Sequence, residues 1–285
     1  MEIIVSSYYK YVNIDNPEFF QKKHQVFCNK LGIKGKILVS KEGINGSISG
    51  TLDQISKYEN YIHKNILFKD VMFKRNITDE HPFKKTIVRT RDEIVTSRFN
   101  VNSKKRGLYI SPKKLKHALD NNEEIILLDA RNNYESKIGK FKNAITPDIE
   151  TFRDFKKIIP SIKKYKNKQI VMYCTGGVRC EKASALLIKN GFNNVMQIEG
   201  GILNYIEQFP DTYFEGRCFV FDNRLSISTG DKTKDISICE LCHIPSGRYI
   251  NCGNIKCDKL FICCESCDKI SKHTCSKRCK IIGNN

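Results

Sequence analysis

The chain has 285 residues, of which 40% are hydrophobic, enough to form two or three domains with cores of their own. No apolar run approaches the roughly 20 residues needed to span a bilayer, which argues against a membrane protein. The first residues, Met1 to Val5, include neither a basic segment nor a long apolar one and predict no signal peptide. We therefore expect a cytoplasmic protein whose 13 cysteines are thiols, thiolates or metal ligands rather than disulfides.

The net charge of +18 is unevenly distributed along the chain. Residues 1–115 carry a net charge of +11, residues 116–215 carry +2, and residues 216–285 carry +5. Basic flanks around a nearly neutral centre are typical of an enzyme that binds RNA phosphates with its flanks and performs chemistry at its centre. The alternative is a general enrichment in lysine without any nucleic-acid partner.

Residues 1–100 predict a small α/β domain. The expected elements are a strand at 3–9, a helix at 17–31, strands at 35–40 and 45–50, a helix at 52–63 and a strand at 70–74. Pro17 suits the first turn of the first helix, and Gly32 suits its end. The order β-α-β-β-α-β is that of a ferredoxin-like (acylphosphatase-like) sandwich.

This first domain has no evident catalytic constellation, so we expect it to serve in recognition. Its candidate phosphate contacts are Lys36, Lys41, Lys74, Arg75, Lys84, Lys85, Arg89 and Arg91. The last four, Lys84, Lys85, Arg89 and Arg91, are the RNA-binding residues that we predict from this set. Taken singly, each is more simply explained as a solvated surface charge, so the hypothesis concerns the group.

A polar, basic segment at 100–107 predicts a linker, and residues 108–215 then alternate strands with helices as a parallel sheet requires. Ser111 and Pro112 are suited to begin a helix as its N-cap and first residue. Asp129 ends a predicted strand at 125–128, at the sheet edge where such folds place their ligands.

The most informative stretch is a strand ending at Cys174, followed by Gly176, Gly177 and a helix. Unpaired N–H groups of such a turn and the helix dipole favour a thiolate, so we predict that Cys174 is a nucleophile. Arg179 adds a fixed cation and is its predicted catalytic partner. Loop support is predicted from Thr175, Gly176, Gly177, Val178, Asp129 and Arg131. The alternative is a buried structural cysteine, and Cys180 either resolves an oxidised Cys174 or packs, with packing favoured.

The last 70 residues, 216–285, form a cysteine-rich segment. Four close pairs are the predicted metal ligands: Cys239, Cys242, Cys252, Cys257, Cys264, Cys267, Cys275 and Cys279. Eight thiolates fill two tetrahedral zinc sites, and bound metal would supply folding energy to a segment with little apolar core. A disulfide scaffold and an iron–sulfur cluster are the alternatives.

The loop from Cys174 to Arg179 is one residue shorter than a phosphatase Cys-x5-Arg loop and resembles a rhodanese loop. Segments 129–135, 138–145 and 174–184 resemble the YceA-like family of rhodanese-domain tRNA uridine hydroxylases, and the resemblance covers nearly the whole chain. It implies oxygen-dependent hydroxylation of the wobble uridine of tRNA to 5-hydroxyuridine, with molecular oxygen as co-substrate and tRNA as partner.

Residues alone leave two further functions open. A rhodanese-type sulfurtransferase would carry persulfide sulfur on Cys174 to an acceptor such as tRNA, and a non-catalytic RNA-binding protein would keep the fold as a scaffold. The retained thiol and arginine disfavour the scaffold. No nucleotide fingerprint, flavin motif or two-histidine-one-carboxylate iron site is evident, so the residues themselves do not explain oxygen activation.

Overall fold

The structure is a computed structural model that describes residues 2–282, with side chains up to residue 280. Three groups of secondary-structure elements follow one another along the chain. Within the described range, no helix combines the length and the apolar character needed to cross a membrane.

The first group is an α/β sandwich with a five-stranded sheet. Its elements are β1 (Ile3–Tyr11), α1 (Pro17–Leu31), β2 (Lys34–Ser40), β3 (Gly43–Gly50), α2 (Leu52–His63), β4 (Lys74–Thr78) and β5 (Thr86–Thr90). The strand order is β4-β1-β3-β2-β5, antiparallel except that β5 runs parallel to β2. Strands β1 to β4 have the predicted ferredoxin-like order, and β5 is an additional edge strand that the sequence patterns did not indicate.

Helix α1 begins and ends where the sequence predicted, whereas the predicted strand at 70–74 is wrong. The Asn16 side chain accepts the N–H of Phe19 at 2.9 Å and caps the helix, and Gly32 ends it with a φ of +74°. The strand starts only at Lys74, because the N–H of Val71 is used in a turn with the carbonyl of Phe68. Val71 is buried in the core beneath the sheet, which explains the apolar run without a strand.

The second group is built around a parallel sheet, as predicted. Its elements are β6 (Leu108–Ile110), α3 (Pro112–Asp120), β7 (Ile125–Asp129), α4 (Asn133–Ile138), β8 (Gly139–Phe141), α5 (Ile159–Ile162), β9 (Gln169–Tyr173), α6 (Val178–Lys189), β10 (Asn194–Ile198), α7 (Gly201–Gln208) and β11 (Phe214–Gly216). Short 3-10 helices occupy Ser103–Lys105, Phe152–Ile158 and Lys163–Tyr165.

The parallel sheet has the order β6-β10-β9-β7, so β9 lies in its interior. Val171 and Met172 of this strand are fully buried in two different apolar clusters, as expected for a strand covered on both faces. The predicted linker is ordered at its end, where the N–H of Gly107 donates to Ser184 Oγ at 3.0 Å. Cys174 therefore directly follows an interior strand that is buried on both faces.

The third group has little regular structure and a core made largely of cysteine. Its elements are β12 (Cys218–Phe219), β13 (Ser226–Ile227), β14 (Tyr249–Asn251), β15 (Leu260–Ile262), α8 (Glu265–Ser271) and α9 (Lys277–Ile282). Three cysteines, Cys239, Cys252 and Cys263, are buried together with Phe261. Tyr249 ties this group to the parallel-sheet group by donating its hydroxyl proton to the carbonyl of Tyr134 at 2.9 Å.

Candidate active site

The Cys174 loop is held by hydrogen bonds from helix α7. The carbonyl groups of Cys174 and Thr175 accept the N–H groups of Ile202 and Leu203, in the first turn of α7, at 3.0 and 3.1 Å. A Cβ at Gly201 would lie 2.5 Å from the Cys174 carbonyl oxygen, so this close approach requires glycine. With these carbonyls held by α7, the loop amides are left to face the sulfur.

The amide of Gly177 is one of the N–H groups that reach this sulfur. Gly177 has a φ of +99°, and its N–H donates to Cys174 Sγ at 3.2 Å. A Cβ at this position would also meet the hydroxyl oxygen of Tyr9 at 3.0 Å. Glycine is therefore required both by the backbone conformation and by a neighbour from the first group of elements.

The electrostatic environment favours a thiolate at Cys174. Burial has the largest influence on the pKa of Cys174 and would raise it, but the Cys180 thiol, the Arg179 charge and the N–H groups of Arg179 and Gly177 lower this pKa to about 5. Burial and the neighbouring Cys174 instead raise the pKa of Cys180 well above its ordinary value. Cys180 thus remains a protonated donor beside a charged nucleophile at neutral pH.

Arg179 is held by a residue that the sequence did not single out. Its Nη2 donates to Glu135 Oε2 at 2.8 Å, and its Nη1 donates to the other carboxylate oxygen. Glu135 is fully buried, and it also accepts a hydrogen bond from Thr175 Oγ1 at 3.2 Å. Burial raises the pKa of Glu135, but the Arg179 charge and its hydrogen bonds bring this pKa below its usual value. Arg179 therefore acts on Cys174 as part of an ion pair.

Asp129 and Arg131 form a second buried ion pair, next to the loop. Arg131 Nε donates to Asp129 Oδ1 at 2.9 Å, and Arg131 Nη2 donates to Oδ2 at 2.6 Å. The guanidinium carbon lies 5.6 Å from the ring centre of Tyr173, the residue before Cys174. Asp129 and Arg131 therefore hold one another. Their link to the Cys174 loop is the contact between Arg131 and Tyr173.

A cavity of about 620 Å³ lies between the first sheet and the Cys174 loop. Its apolar and aromatic lining includes Tyr9, Phe83, Val95, Phe152, Val178 and Phe221, and its polar lining includes Asn45, Lys74, Asn76, Asn132, Cys174 and Arg224. The Asn132 side-chain oxygen is buried and has no hydrogen-bond partner among the residues that the structure describes. The thiol thus lies in the wall of a cleft large enough for a nucleoside.

The first group of elements forms one wall of this cavity and contacts the active loop directly. Tyr11 donates its hydroxyl proton to the Val178 carbonyl at 3.2 Å, and Tyr9 donates to Glu181 Oε1 at 2.8 Å. Lys74 Nζ donates to the carbonyl oxygen of Gly176 at 3.0 Å. These contacts add Lys74 and Tyr9 to the site, although the sequence suggested only a recognition role for this group.

The four predicted RNA-binding residues lie together, away from the cavity lining. Lys84 and Lys85 precede the edge strand β5, Arg89 lies within it, and Arg91 follows it. All four side chains are exposed. They form a basic edge on the first sheet, but neither the cavity nor the thiol depends on them.

The eight predicted metal ligands gather into two clusters of four. One contains Cys239, Cys242, Cys264 and Cys267, and the other contains Cys252, Cys257, Cys275 and Cys279. The sulfurs of each cluster lie within 4.8 Å of one another, and those of Cys242 and Cys264 are 3.7 Å apart. A tetrahedral zinc with four sulfurs at about 2.3 Å requires sulfur–sulfur separations near 3.8 Å. Each cluster could therefore hold a metal ion.

The clusters interleave along the chain, with successive cysteine pairs alternating between the first and the second site. Cys263 belongs to neither cluster and packs in the small core beside them. The adjacent Cys264 belongs to the first cluster. Each cluster closes a loop of the chain that contains cysteines of the other.

The fold and the loop define a rhodanese-type protein with an acylphosphatase-like domain before it and a cysteine-rich segment after it. Three family models match in this order: the UPF0176 acylphosphatase-like domain over residues 3–94, the rhodanese-like domain over 111–208, and the rhodanase C-terminal segment over 215–280.

Full-length relatives extend this match to nearly the whole chain. A tRNA uridine(34) hydroxylase of Bacillus licheniformis is 41% identical, over 96% of this chain and 87% of that protein. One of Cytophaga hutchinsonii is 39% identical, over 96% and 88%. The chain belongs to the tRNA uridine(34) hydroxylase family. A crystal structure of a rhodanese-like domain protein from Staphylococcus aureus is 26% identical over 34% of this chain and 90% of that chain, and its TM-score of 0.29 is too low to add to this assignment.

Proposed function

We propose that this protein hydroxylates the wobble uridine of tRNA to 5-hydroxyuridine and that the reaction takes place in the cavity beside Cys174. The observation that carries the proposal is a low-pKa thiolate in the wall of a cavity of about 620 Å³, in a chain of this family. The tRNA substrate in turn favours the cytoplasm as the place where the protein works.

The position of the thiol requires the uridine to leave the anticodon stack. Cys174 is fully buried, so a base still stacked in RNA cannot reach it, whereas a base turned outward into the cavity can. The aromatic lining suits the faces of a pyrimidine, and the unpartnered oxygen of Asn132 is suited to accept a hydrogen bond from the uracil N3–H. Cytosine has no hydrogen at N3 and would leave that oxygen unpaired.

The chemistry follows from adding a thiolate to an electron-poor pyrimidine ring. The Cys174 sulfur adds to C6, and the electrons of the C5–C6 double bond move into an enolate in which C5 is nucleophilic. This C5 reacts with molecular oxygen and a proton to give a hydroperoxide, and two electrons and two protons reduce the hydroperoxide to an alcohol and water. Loss of the C5 proton and expulsion of the sulfur then restore the double bond.

The sum is uridine, O2, two electrons and two protons giving 5-hydroxyuridine and water. In this scheme molecular oxygen is a co-substrate, and an external two-electron donor is consumed with it. Arg179, paired with Glu135, and the N–H of Gly177 keep the leaving sulfur anionic. Sulfur transfer would use the same thiolate, so the product nucleoside is what distinguishes the two reactions.

We propose that tRNA is bound by the basic edge formed by Lys84, Lys85, Arg89 and Arg91. All four are exposed in or beside strand β5, at the edge of the first sheet, and the group of elements that contains this sheet also walls the cavity. Replacing all four with Glu should weaken tRNA binding and reduce the slope of log affinity against log salt by roughly 3. A matched control replaces the exposed Lys113, Lys114, Lys163 and Lys164 of the second group with Glu. Equal loss of binding in both variants would contradict the assignment.

We also propose that both cysteine clusters hold zinc. The ligands are all thiolates, and the 3.7 Å sulfur separations suit a tetrahedral ion of this size. Four thiolates per ion leave no open position, so the zinc would stabilise the segment and take no part in the reaction. The third group then serves to complete the cavity through Phe221 and Arg224.

Analysis of tRNA nucleosides by mass spectrometry tests the proposed activity. Cells that lack the protein should lose 5-hydroxyuridine and the nucleosides made from it, and the wild-type chain should restore them. Loss of a thiolated nucleoside, with 5-hydroxyuridine unchanged, would support sulfur transfer and contradict hydroxylation.

A further inference from the structure

Lys74 occupies an unusual position for a lysine. It begins strand β4 of the first sheet, but its ammonium group reaches the Cys174 loop of the second group and donates to the Gly176 carbonyl at 3.0 Å. The residue is only 5% exposed, and its nitrogen lies 5.1 Å from the ring centre of Tyr9. It also lines the same cavity as Cys174.

Other buried cations around the loop are paired with carboxylates. Arg131 pairs with Asp129, Arg179 with Glu135, and Lys182 with both Glu42 and Glu93. Across residues 2–282, Lys74 forms no ion pair with a carboxylate, and its one polar contact is a neutral carbonyl. Burying an ammonium ion without an anion has a large cost in free energy, so we expect an anion near Lys74.

The Cys174 thiolate is the anion that shares both the loop contacted by Lys74 and the cavity lined by Lys74. Burial has the largest influence on the pKa of Lys74 and lowers it to about 8, while the charge of Cys174 acts in the opposite direction. Because a Coulomb interaction is mutual, the ammonium ion of Lys74 stabilises the thiolate as well.

Lys74 is one of several titratable groups around the sulfur. The others are Arg179, Cys180, Tyr9 and Tyr11, with Asp129 and Glu135 behind Arg179. Burial, followed by nearby acidic groups, raises the pKa values of Tyr9 and Tyr11 well above their ordinary range, so both phenols stay neutral. Arg179 also stabilises the thiolate, but its guanidinium is paired with Glu135, whereas the charge of Lys74 is not shared with any carboxylate in the described part of the chain.

We infer that the acylphosphatase-like group of elements supplies Lys74 to the reactive centre as a second counter-cation of the Cys174 thiolate, beside Arg179, and as the residue that holds the Gly176 carbonyl in place. Lys74 is thus a positioning residue that acts through the loop. The inference deepens the proposed function, since it rests on Cys174 being the reactive thiol. It also makes the first group of elements part of the catalytic machinery rather than an RNA-binding attachment.

The test measures the protonation of Cys174 without tRNA or oxygen chemistry. The full-length protein is alkylated with iodoacetamide at a series of pH values, and the rate at Cys174 is followed by mass spectrometry. Trypsin cleaves after Lys168 and Arg179, so the peptide that contains Cys174 is separated from Cys180. The wild-type rate should rise with a midpoint near pH 5.

Three variants separate charge from packing. Lys74→Met should raise the midpoint by roughly one pH unit, and Lys74→Arg should bring it back because the charge is retained. Lys36→Met removes an exposed lysine from the rim of the same cavity and should leave the midpoint unchanged. An unshifted midpoint in folded Lys74→Met, or an equal shift in Lys36→Met, would overturn the inference.

The reciprocal measurement does not depend on Lys74→Met folding. In Cys174→Ser the thiolate is absent, so pH-dependent acylation of the Lys74 amine should show a lower pKa than in the wild-type protein. An unchanged or higher value would contradict the pairing. The alkylation of Cys174 and the acylation of Lys74 test the inference even if the enzyme transfers sulfur, because neither one measures the product nucleoside.

Discussion

Arg179 and Glu135 form a buried two-point ion pair, in which the guanidinium of the active loop meets the carboxylate at the start of helix α4. The side chains of Arg179 and Glu135 are 6% and 0% exposed, so removing either partner leaves the other charge buried without a counter-ion. The ion pair fixes the position of the Arg179 guanidinium, the cation that helix α6 places beside Cys174.

Replacing Glu135 with Ala should therefore destabilise the protein by about 3–5 kcal/mol, because Arg179 remains buried without a partner. The double variant Glu135→Gln with Arg179→Met should recover most of this loss, because neither charge remains. Denaturant unfolding of both variants measures the effect. A loss below about 1 kcal/mol in Glu135→Ala would mean that the pair is solvated in solution.

Cys180 should tune the nucleophile rather than perform the reaction. Cys180→Ala removes a hydrogen bond that lowers the pKa of Cys174, so the alkylation midpoint of Cys174 should rise above pH 5. Activity should fall by less than in Cys174→Ser, which we expect to be inactive but folded. If Cys180→Ala is as inactive as Cys174→Ser while its Cys174 pKa is unchanged, the two cysteines act as a redox pair instead.

The first group of elements should lose stability in mild acid because of His24. This side chain is fully buried, it makes a 2.8 Å hydrogen bond to the Tyr58 hydroxyl, and burial lowers its pKa to about 4. The unfolded chain has a histidine pKa near 6.5 and binds the proton more readily, so the stability is full above about pH 6.5 and falls as the pH drops towards 4.

The expected loss from His24 is roughly 3 kcal/mol over that interval. His24→Gln can still hydrogen-bond to Tyr58 but does not titrate, so the wild-type protein should lose more stability than this variant between pH 6.5 and 4. Urea unfolding at several pH values gives the difference. Parallel pH profiles for the two proteins would show that His24 is not the responsible group.

The cysteine-rich segment should bind two zinc ions without using Cys263. Elemental analysis of reduced protein should find about two zinc ions per chain, from four thiolates per site. Cys242→Ser and Cys257→Ser each damage a different cluster and should each reduce the content to about one or less. Cys263→Ser lies outside both clusters and serves as the control that keeps both ions. Metal-free wild-type protein would contradict the zinc assignment.

Local features of the fold could be predicted from sequence, but contacts between distant segments could not. Helix α1 has its Pro17 and its Gly32 stop where the pattern indicated, because capping depends on a few adjacent residues. The strand at 70–74 failed because an apolar run alone does not distinguish a ladder from a buried turn.

The active site divides in the same way. The turn from Cys174 to Arg179 is continuous in sequence, so its residues could be recognised together. Glu135 lies 44 residues before Arg179, and Lys74 lies 102 residues before Gly176. Glu135 acquires its role only when helices α4 and α6 pack together within the second group, and Lys74 acquires its role only when the first group packs against the second. For Lys74 the net charge suggested a phosphate contact and gave no sign of the contact with the Gly176 carbonyl.

The most direct test of the account follows the oxygen atom in the product. Cells that lack the protein are complemented with wild-type protein or Cys174→Ser and grown under 18O2, and their tRNA nucleosides are analysed by mass spectrometry. We predict that wild-type cells contain 5-hydroxyuridine carrying the heavy oxygen and that Cys174→Ser cells contain none. Heavy 5-hydroxyuridine at wild-type levels in Cys174→Ser cells, or product that carries oxygen from water, would contradict hydroxylation by this thiolate.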